Sequence, residues 1–533
     1  MEPLSNNNQN IESLDLTTKY LMENIDKTLI IFCNPISGNK EGKIILNIAN
    51  HYLTKEKYKL IDFQYLVTQK QYEPIKSVFF ELINKEDNLK GQLLLKNLTE
   101  RCKINKESGL PDNFQKIRTL IAGGDGTVLS MIDSFPKNGI DINYCYFGHI
   151  PLGTGNDLAN SLGFSNHVNI SEYNLDELYI ILNKYYKAQF GKIDVWKIDL
   201  QLDQIDGEIL ANTKNGKIPL KDDNGNIIKR YIRTFINYIS LGYDARVGYN
   251  FDPKRASSRN LNKCIYFLEG LKKLCCQKTN SIQAFIDTFT VYDSPDNSID
   301  EESFFSDNNT DNNDNNYYKD KENVTTSKII TGGNINNFEH SQNILNYDNK
   351  KNNHHHEKFK CMSLKTFKVN QNNNHKCLVL SGKPCSIIFQ NIVNYMSGVR
   401  DIWGKGEEKL SVGIKNGNND EIIKYTQKLN HMADCKQRFD DKMLEIFTFD
   451  NGLETGLENV IGGLAKKIYH GRGPMEIKFL ETPKYIKEDR KHRIYFNIDG
   501  EYFHIVKPLL LRIELNRDYS GGQLPFLVGN TQI

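Results

Sequence analysis

The sequence predicts an α/β plus all-β protein: a parallel α/β half, then an antiparallel β-sandwich, with a cleft between them. Three observations carry this. From residue 27 to residue 165 apolar runs alternate with helical spacings, the pattern of a parallel sheet covered by helices. Beyond residue 190 the chain turns to short runs alternating apolar and polar residues, which suits sheets packed face to face. Glycine-rich turns fall where strands of the first half end, and open α/β sheets bind ligands at strand C-termini.

In the first half, residues 29–32, 60–67, 117–121 and 145–150 read as strands. Residues 43–53, 73–82, 128–135 and 158–162 read as helices, and another helical stretch, 175–187, precedes the change of character. In the second half the strands are 193–202, 234–241, 377–380, 386–389, 444–449, 475–480, 493–498 and 509–515. Asp499-Gly500 between two alternating runs signals a hairpin. A helix at 261–274 interrupts these strands. Its apolar residues, Ile265, Phe267, Leu268, Leu271 and Leu274, are expected to pack on the sandwich, leaving Lys272, Lys273, Arg255 and Arg259 to water or an anionic leaflet.

These elements divide the chain into a tail (1–26), an α/β domain (27–165), a sandwich (166–525) and a C-terminal tail (526–533). Two segments fall outside both cores. Residues 202–230 contain two Asn-Gly pairs and read as an inserted hairpin or loop. Residues 293–374 are rich in Asn and Asp, include His354-His355-His356, and are too polar to bury a core; disorder is expected there.

Composition narrows the function classes. Lys and Arg number 68 against 66 Asp and Glu, so no general pull towards nucleic acid is expected. Hydrophobic content of 39% and 25% charged residues suit a soluble globular protein. Residues 1–26 lack a basic region followed by an apolar block, so no signal peptide is expected. No apolar run approaches the roughly 18 residues of a spanning helix. The ten cysteines form no CxxC pair, and adjacent Cys275-Cys276 disfavour both a shared zinc site and a mutual disulfide. Reduced thiols in the cytoplasm are the economical reading.

The chemistry concentrates in the glycine turns. The run 117–121 ends in Gly123-Gly124-Asp125-Gly126-Thr127 and feeds a helix. Such a turn lets backbone approach a phosphate and aims unpaired N–H groups at it. Asp125 cannot bind phosphate directly, but it can hold a cation that does. Pro151-Leu152-Gly153-Thr154-Gly155-Asn156-Asp157 repeats the arrangement at the next strand end. Two such turns, each with a carboxylate, point to phosphate, metal and nucleotide together.

These two motifs, the second continuing through Leu158-Ala159, resemble the catalytic core of eukaryotic-type diacylglycerol kinases, within the lipid kinase and NAD kinase superfamily. Asn34-Pro35-Ile36-Ser37-Gly38 matches the first loop of that family. Asn237-Tyr238-Ile239-Ser240-Leu241-Gly242-Tyr243-Asp244-Ala245, Ser258-Arg259-Asn260-Leu261-Asn262-Lys263, Asn391-Ile392, Trp403-Gly404, Asp440-Asp441 and Asp499-Gly500-Glu501 follow in family order. Animal members carry zinc-binding lipid modules or EF-hands whose ligand patterns are missing here, so a minimal catalytic unit is expected.

The resemblance implies ATP and Mg2+ as cofactors, diacylglycerol at a membrane surface as substrate and phosphatidic acid as product, within lipid signalling and phospholipid metabolism. It implies a cytoplasmic protein with peripheral association to anionic phospholipid; the oligomeric state stays open. Nucleotide contacts are expected from Asn34, Ser37, Gly38, Gly123, Gly124, Gly126, Thr127, Gly153, Thr154, Gly155, Asn156 and Asp157. Metal is expected on Asp125 and on Asp194, which sits on an otherwise apolar strand and needs a partner there. Asp440 and Asp441 are candidates for a second, structural magnesium, although Lys442 stands where the family usually has glycine. Glu501 is the expected general base, with Asp125 the competing catalytic carboxylate. Arg246, Lys254, Arg255 and Arg259 serve phosphate, membrane or merely solvent. A sphingoid-base or ceramide kinase of the same fold is the alternative, and a non-catalytic lipid-binding regulator a more distant one.

Overall fold

The computed structural model describes residues 21–22, 24–52, 59–62, 75–108, 117–164, 174–256, 259–276, 281–292, 375–378, 383–395, 399–406, 436–458, 461–482 and 493–529. The Asn-rich segment expected over 293–374 lies outside them. In chain order the first elements are β1 (Thr28–Cys33), α1 (Ser37–His51), β2 (Lys59–Asp62), β3 (Lys76–Glu81), α2 (Lys85–Glu107) and β4 (Ile117–Gly123). Then come α3 (Asp125–Lys137), β5 (Cys145–Pro151), α4 (Asp157–Ser161), α5 (Leu175–Tyr186) and β6 (Gln189–Asp194). Together with β23 (Gln523–Val528), these strands form a seven-stranded sheet in the order β2-β3-β1-β4-β5-β23-β6. Its inner strands β3, β1, β4, β5 and β23 run parallel. β1 is buried along its whole length, as a strand covered on both faces must be.

The remaining elements are β7 (Trp196–Leu202), β8 (Glu208–Thr213), β9 (Gly216–Pro219), β10 (Arg230–Phe235), β11 (Tyr238–Gly242), α6 (Tyr243–Phe251), α7 (Arg259–Cys276), β12 (Ile286–Tyr292) and β13 (His375–Leu378). After them come β14 (Ser386–Gln390), β15 (Asn394–Tyr395), β16 (Val399–Arg400), α8 (Ile402–Lys405), β17 (Leu444–Phe449) and α9 (Gly452–Leu457). The last strands before β23 are β18 (Lys466–Gly471), β19 (Met475–Phe479), β20 (Arg493–Ile498), β21 (Glu501–Val506) and β22 (Pro508–Leu515). They make an antiparallel sandwich: six strands ordered β10-β7-β22-β19-β12-β13 against eight ordered β18-β17-β14-β11-β20-β21-β8-β9. β7 alternates buried and half-buried positions along Trp196–Leu202, the period-2 signature of a one-sided strand. Successive residues of the eight-stranded sheet serve opposite faces. Ile387 and Phe389 enter the core between the sheets, whereas Ile388 packs outside with Tyr243 and Trp403.

Four expectations are corrected. Residues 73–82 contain strand β3, not a helix. Ile75, Val78, Phe79 and Leu82 fall at helical spacing, but Val78, Phe79 and Phe80 are buried together as a strand between β1 and β2. The helix lies later, as α2, where Asn84 Oδ1 caps the backbone N–H groups of Glu86 and Asp87 at 3.1 and 3.3 Å. The span 202–230 is a hairpin that belongs to the core: β8 pairs with β21, and Ile209 is buried between the sheets.

The domain boundaries also move. β6 and the supposed C-terminal tail both join the α/β sheet, with β23 parallel to β5 and antiparallel to β6. Leu524, Phe526, Leu527 and Val528 are buried in its core. Finally, α7 does not lay Phe267 and Leu268 on the sandwich; both are exposed, while Lys273 is buried.

A tail residue tolerates truncation, but a buried strand residue does not. Phe526→Ala removes a fully buried ring 5.8 Å from that of Phe147 and should cost about 3–5 kcal/mol. Denaturant titration reads this directly, and an unchanged midpoint would detach β23 from the core.

Candidate active site

The three glycine loops follow β1, β4 and β5, which are neighbours in the sheet, so sheet order alone sets the loops side by side. They line a cavity of about 1360 Å³. Ser37, Gly38, Gly124, Asp125, Gly126, Thr127, Gly153, Thr154, Gly155, Asn156 and Asp157 all reach it, and Glu501 comes in from the sandwich. Asn34 and Gly123 stand directly behind this lining. Asn34 Nδ2 donates to Thr127 Oγ1 at 3.5 Å, and the Gly123 carbonyl accepts from Leu152 N–H at 2.8 Å.

Glycine is required at two of these places. Gly38 has φ of +63°, and a Cβ there would lie 2.5 Å from the Leu152 carbonyl oxygen. A Cβ on Gly153 would lie 2.9 Å from Gly124 Cα, so the second and third loops touch backbone to backbone. Asn156, at φ +57°, closes the third loop on itself: its Oδ1 accepts from Gly153 N–H at 2.7 Å and its Nδ2 donates to the Gly153 carbonyl at 2.9 Å. That leaves Thr154 as the side-chain donor of the loop, with Asn262 Nδ2 3.4 Å from its hydroxyl.

Asp125 opens α3 and reaches across to α4. Its carboxylate accepts the N–H groups of Asp157 at 3.2 Å and Leu158 at 3.3 Å, so it does not stand on an open turn. Burial pushes its pKa up to about 6, against the Leu158, Asp157 and Asn156 backbone donors that favour the anion. Beneath it, burial lowers His149 to about 4, so the imidazole is neutral. His149 Nε2 lies 3.0 Å from the Gly123 carbonyl, which assigns the proton to Nε2. The bare Nδ1 then faces Asp125 Oδ1 at 3.5 Å. Asp157 is buried and accepts from the Tyr238 hydroxyl at 3.3 Å.

From the sandwich, the Asp499-Gly500 turn has φ of 47° and 83°, the left-handed pair that a tight hairpin demands. Glu501 follows it, and a Cβ built on Gly126 would be 3.8 Å from Glu501 Oε1. Arg233 of β10 grips this carboxylate with two bonds of 2.6 Å and also donates to the Tyr231 hydroxyl at 2.9 Å. Asp499 is buried and accepts from the backbone of Ile236, Asn237 and Tyr238 at 2.9, 3.0 and 3.0 Å. Of Arg233 and Asp499, the sequence points only to Asp499. Asp499 carried a signal, the hairpin turn, but not its buried role; Arg233 sits in an ordinary alternating strand with nothing to link it to Glu501.

Asp194, Asp440 and Asp441 gather elsewhere and do not line the cavity. Asp194 Oδ2 accepts from Lys442 N–H at 2.5 Å and Oδ1 from Gln523 Nε2 at 2.7 Å. Burial pushes it up to about 8, and Asp441 up to about 6. Asp440 is engaged by Arg438 at 3.0 and 3.2 Å. Lys442, which stands where glycine is usual, does adopt a positive φ of 61°. Among the described residues no group of three or more His, Cys, Asp or Glu side chains is arranged to hold a metal ion. Of the four basic candidates, Arg255 lines the cavity and pairs with Asp252, Lys254 pairs with Glu269, and Arg246 lies 5.8 Å from the Tyr495 ring centre. The Arg259 side chain lies outside the described residues.

Away from the loops the cavity turns apolar, lined by Tyr243, Val247 and Phe251 of α6, Tyr266, Phe267 and Leu271 of α7, and Leu453 and Leu457 of α9.

Burial pushes the Asp499 carboxyl up to about 7, although three backbone donors pull it down. Its unfolded value is about 3.9. The stability linked to this raised pKa is fully present below about pH 4 and is lost as pH rises through about 7. The gap in unfolding free energy between the protein and Asp499→Asn should therefore narrow or reverse between pH 4 and 7.5. A gap constant across that range would mean the carboxyl is ionised throughout.

A family model of the diacylglycerol kinase catalytic domain matches residues 28–197, and one of the diacylglycerol kinase accessory domain matches residues 234–361 and 351–502. "Probable diacylglycerol kinase 3" of Caenorhabditis elegans is 25% identical over 290 residues, 53% of this chain and 30% of that protein. Diacylglycerol kinase 7 of Arabidopsis thaliana is 26% identical over 261 residues, 45% of this chain and 47% of that protein. Diacylglycerol kinase kappa of Homo sapiens is 41% identical over 175 residues, 32% of this chain and 10% of that protein. The chain thus spans less than half the length of these curated relatives. The catalytic and accessory models together take in well over half of its residues, and they fall on the α/β domain and the sandwich that enclose the cavity: the chain belongs to the diacylglycerol kinase family.

Proposed function

We propose that this protein transfers the γ-phosphoryl group of ATP to the free hydroxyl of diacylglycerol, giving phosphatidic acid. The observation that carries the reading is the two-sided cavity, whose glycine loops meet an apolar wall of tyrosine, phenylalanine and leucine within one space. The glycine end suits a nucleotide's phosphates and the apolar end an acyl chain. Acting on a bilayer lipid, the protein would work at a membrane surface. Among the described residues no helix is long and apolar enough to cross one.

In this reading the backbone N–H groups of Gly124, Asp125 and Gly126 in the second loop and of Thr154 and Gly155 in the third receive the phosphates, with the Thr127 and Thr154 hydroxyls as further donors. Asn34 and Asn156 hold the loops in shape. Mg2+ is ordinarily held by one or two carboxylates together with phosphate oxygens and water, so a single Asp125 suffices. The bare His149 Nδ1 facing Asp125 Oδ1 favours a cation on that carboxylate. When bound, the ion neutralises phosphate charge. Asp194, Asp440 and Asp441, turned to their own partners outside the cavity, are not part of this step.

Glu501 stands over Gly126 and accepts the proton of the attacking hydroxyl as it approaches in line. Asp125 is the competing candidate; in this reading it is assigned to the cation, while its oxygens also accept from the N-terminus of α4. Arg233 is a positioning residue: its two bonds fix the Glu501 carboxylate in place. Little covalent chemistry is asked of the protein; placement and charge supply most of the rate.

Labelled ATP offered with diacylglycerol, monoacylglycerol, ceramide and sphingosine tests the reading. Label should enter diacylglycerol; label in a sphingoid lipid alone would overturn the substrate assignment. Asp125→Asn keeps the shape of the side chain and one good acceptor, so the fold should survive while turnover falls about 100-fold or more. Arg233→Gln should lower kcat about 10-fold with KM for ATP unchanged, and Arg233→Lys should recover part of it. Equal losses for Gln and Lys with a raised KM would make Arg233 a nucleotide contact instead.

A further inference from the structure

Helix α7 is inverted relative to an ordinary surface helix. On a water-soluble domain a helix turns its apolar stripe to the core and its charges to solvent. In α7, Phe267, Leu268 and Leu271 are 61%, 62% and 38% exposed, while Asn262, Glu269 and Lys273 are buried. The inward polar groups are satisfied there. Asn262 donates to the Ala256 carbonyl at 2.9 Å and accepts its N–H at 2.7 Å. Glu269 pairs with Lys254, and the Tyr243 hydroxyl donates to the Gly270 carbonyl at 2.8 Å. With these bonds in place the helix cannot roll its leucines inward without leaving buried polar groups unpaired.

Two further features say what covers this face. Phe267 and Leu271, with half-exposed Leu453 of α9, line the cavity as well as the surface, so the apolar patch runs without a break into the proposed lipid end. Lys263 and Lys272 flank it in the open, and Glu269, the one acidic residue of α7, is turned away and neutralised. An apolar centre with a basic border suits the surface of a bilayer containing anionic lipid. A two-fold contact with a second copy fits less well, because it would set lysines against lysines with no acidic partner on the helix.

We propose that the outer face of α7 and α9 is the membrane-docking surface. Phe267, Leu268, Leu271 and Leu453 enter the acyl region, Lys263 and Lys272 meet anionic headgroups, and a lipid passes from the bilayer into the cavity without crossing water. This rests on the lipid-kinase reading for its purpose, but not for its measurement.

The test is co-sedimentation of the full chain with phosphatidylcholine vesicles, with and without phosphatidylserine, in the absence of ATP. Leu268 and Lys272 line no part of the cavity, so both can be changed without touching the reaction site. Leu268→Glu should weaken vesicle binding about 10-fold or more, and Leu268→Ser should follow in the same direction. Lys272→Glu should weaken it only where phosphatidylserine is present, an effect that added salt removes. Turnover on monodisperse short-chain diacylglycerol should stay unchanged in all three variants. Vesicle binding untouched by Leu268→Glu would overturn the proposal. So would a lipid-free dimer, seen by analytical ultracentrifugation, that Leu268→Glu dissolves; the face would then belong to a second copy. If no lipid takes label from ATP, the kinase reading fails while the binding result stands on its own.

Discussion

The contact on which the rest of the site depends is the backbone touch between the second and third glycine loops, clamped by Asp125. A side chain at Gly153 would meet Gly124 Cα at 2.9 Å, so the loops close only because Gly153 carries none. Asp125 then spans the gap and accepts the first N–H groups of α4. A carboxylate at a helix N-terminus meets the positive end of the helix dipole, and both ends of this bridge benefit. The same residue is thereby held in one orientation towards the cavity. That constraint also explains why Asn156 is spent on shaping its own loop rather than reaching outward.

The sandwich contributes by a comparable device. Asp499, buried beneath the hairpin turn, gathers three backbone N–H groups that lead into β11. Taking a carboxylate out of water is costly, and those donors offset part of that cost. The result is a rigid turn that delivers Glu501 over the glycine motif of the other domain. Arg233 completes the arrangement from a neighbouring strand of the opposite sheet, so the carboxylate depends on both halves of the sandwich.

The two domains are stitched rather than merely joined. After the last sandwich strand, β23 returns to the α/β sheet and sits between β5 and β6. Gln523 at its start donates to Asp194 and to the Asp440 carbonyl. The acidic group once expected to hold metal thus lies at this seam, where its carboxylates serve main-chain and side-chain donors.

By itself the sequence determined the local features: the glycine loops, the α/β half, the alternating strands and the Asp499-Gly500 turn. Each depends on neighbours a few residues apart, through a positive φ, a strand end or a period of two. Residues 73–82 mark the limit of such local signals, since a short apolar segment such as β3 can satisfy helical spacing while its burial is decided by β1 and β2. Only the tertiary structure decided what depends on distant partners: that β23 belongs to the first sheet, that Arg233 meets Glu501, and that Asp194 does not line the cavity that Asp125 lines. Helix α7 is the plainest case. Its composition is that of an amphipathic helix, but which face turns outward was settled by Asn262, Glu269 and the Tyr243 hydroxyl finding partners that no local pattern records.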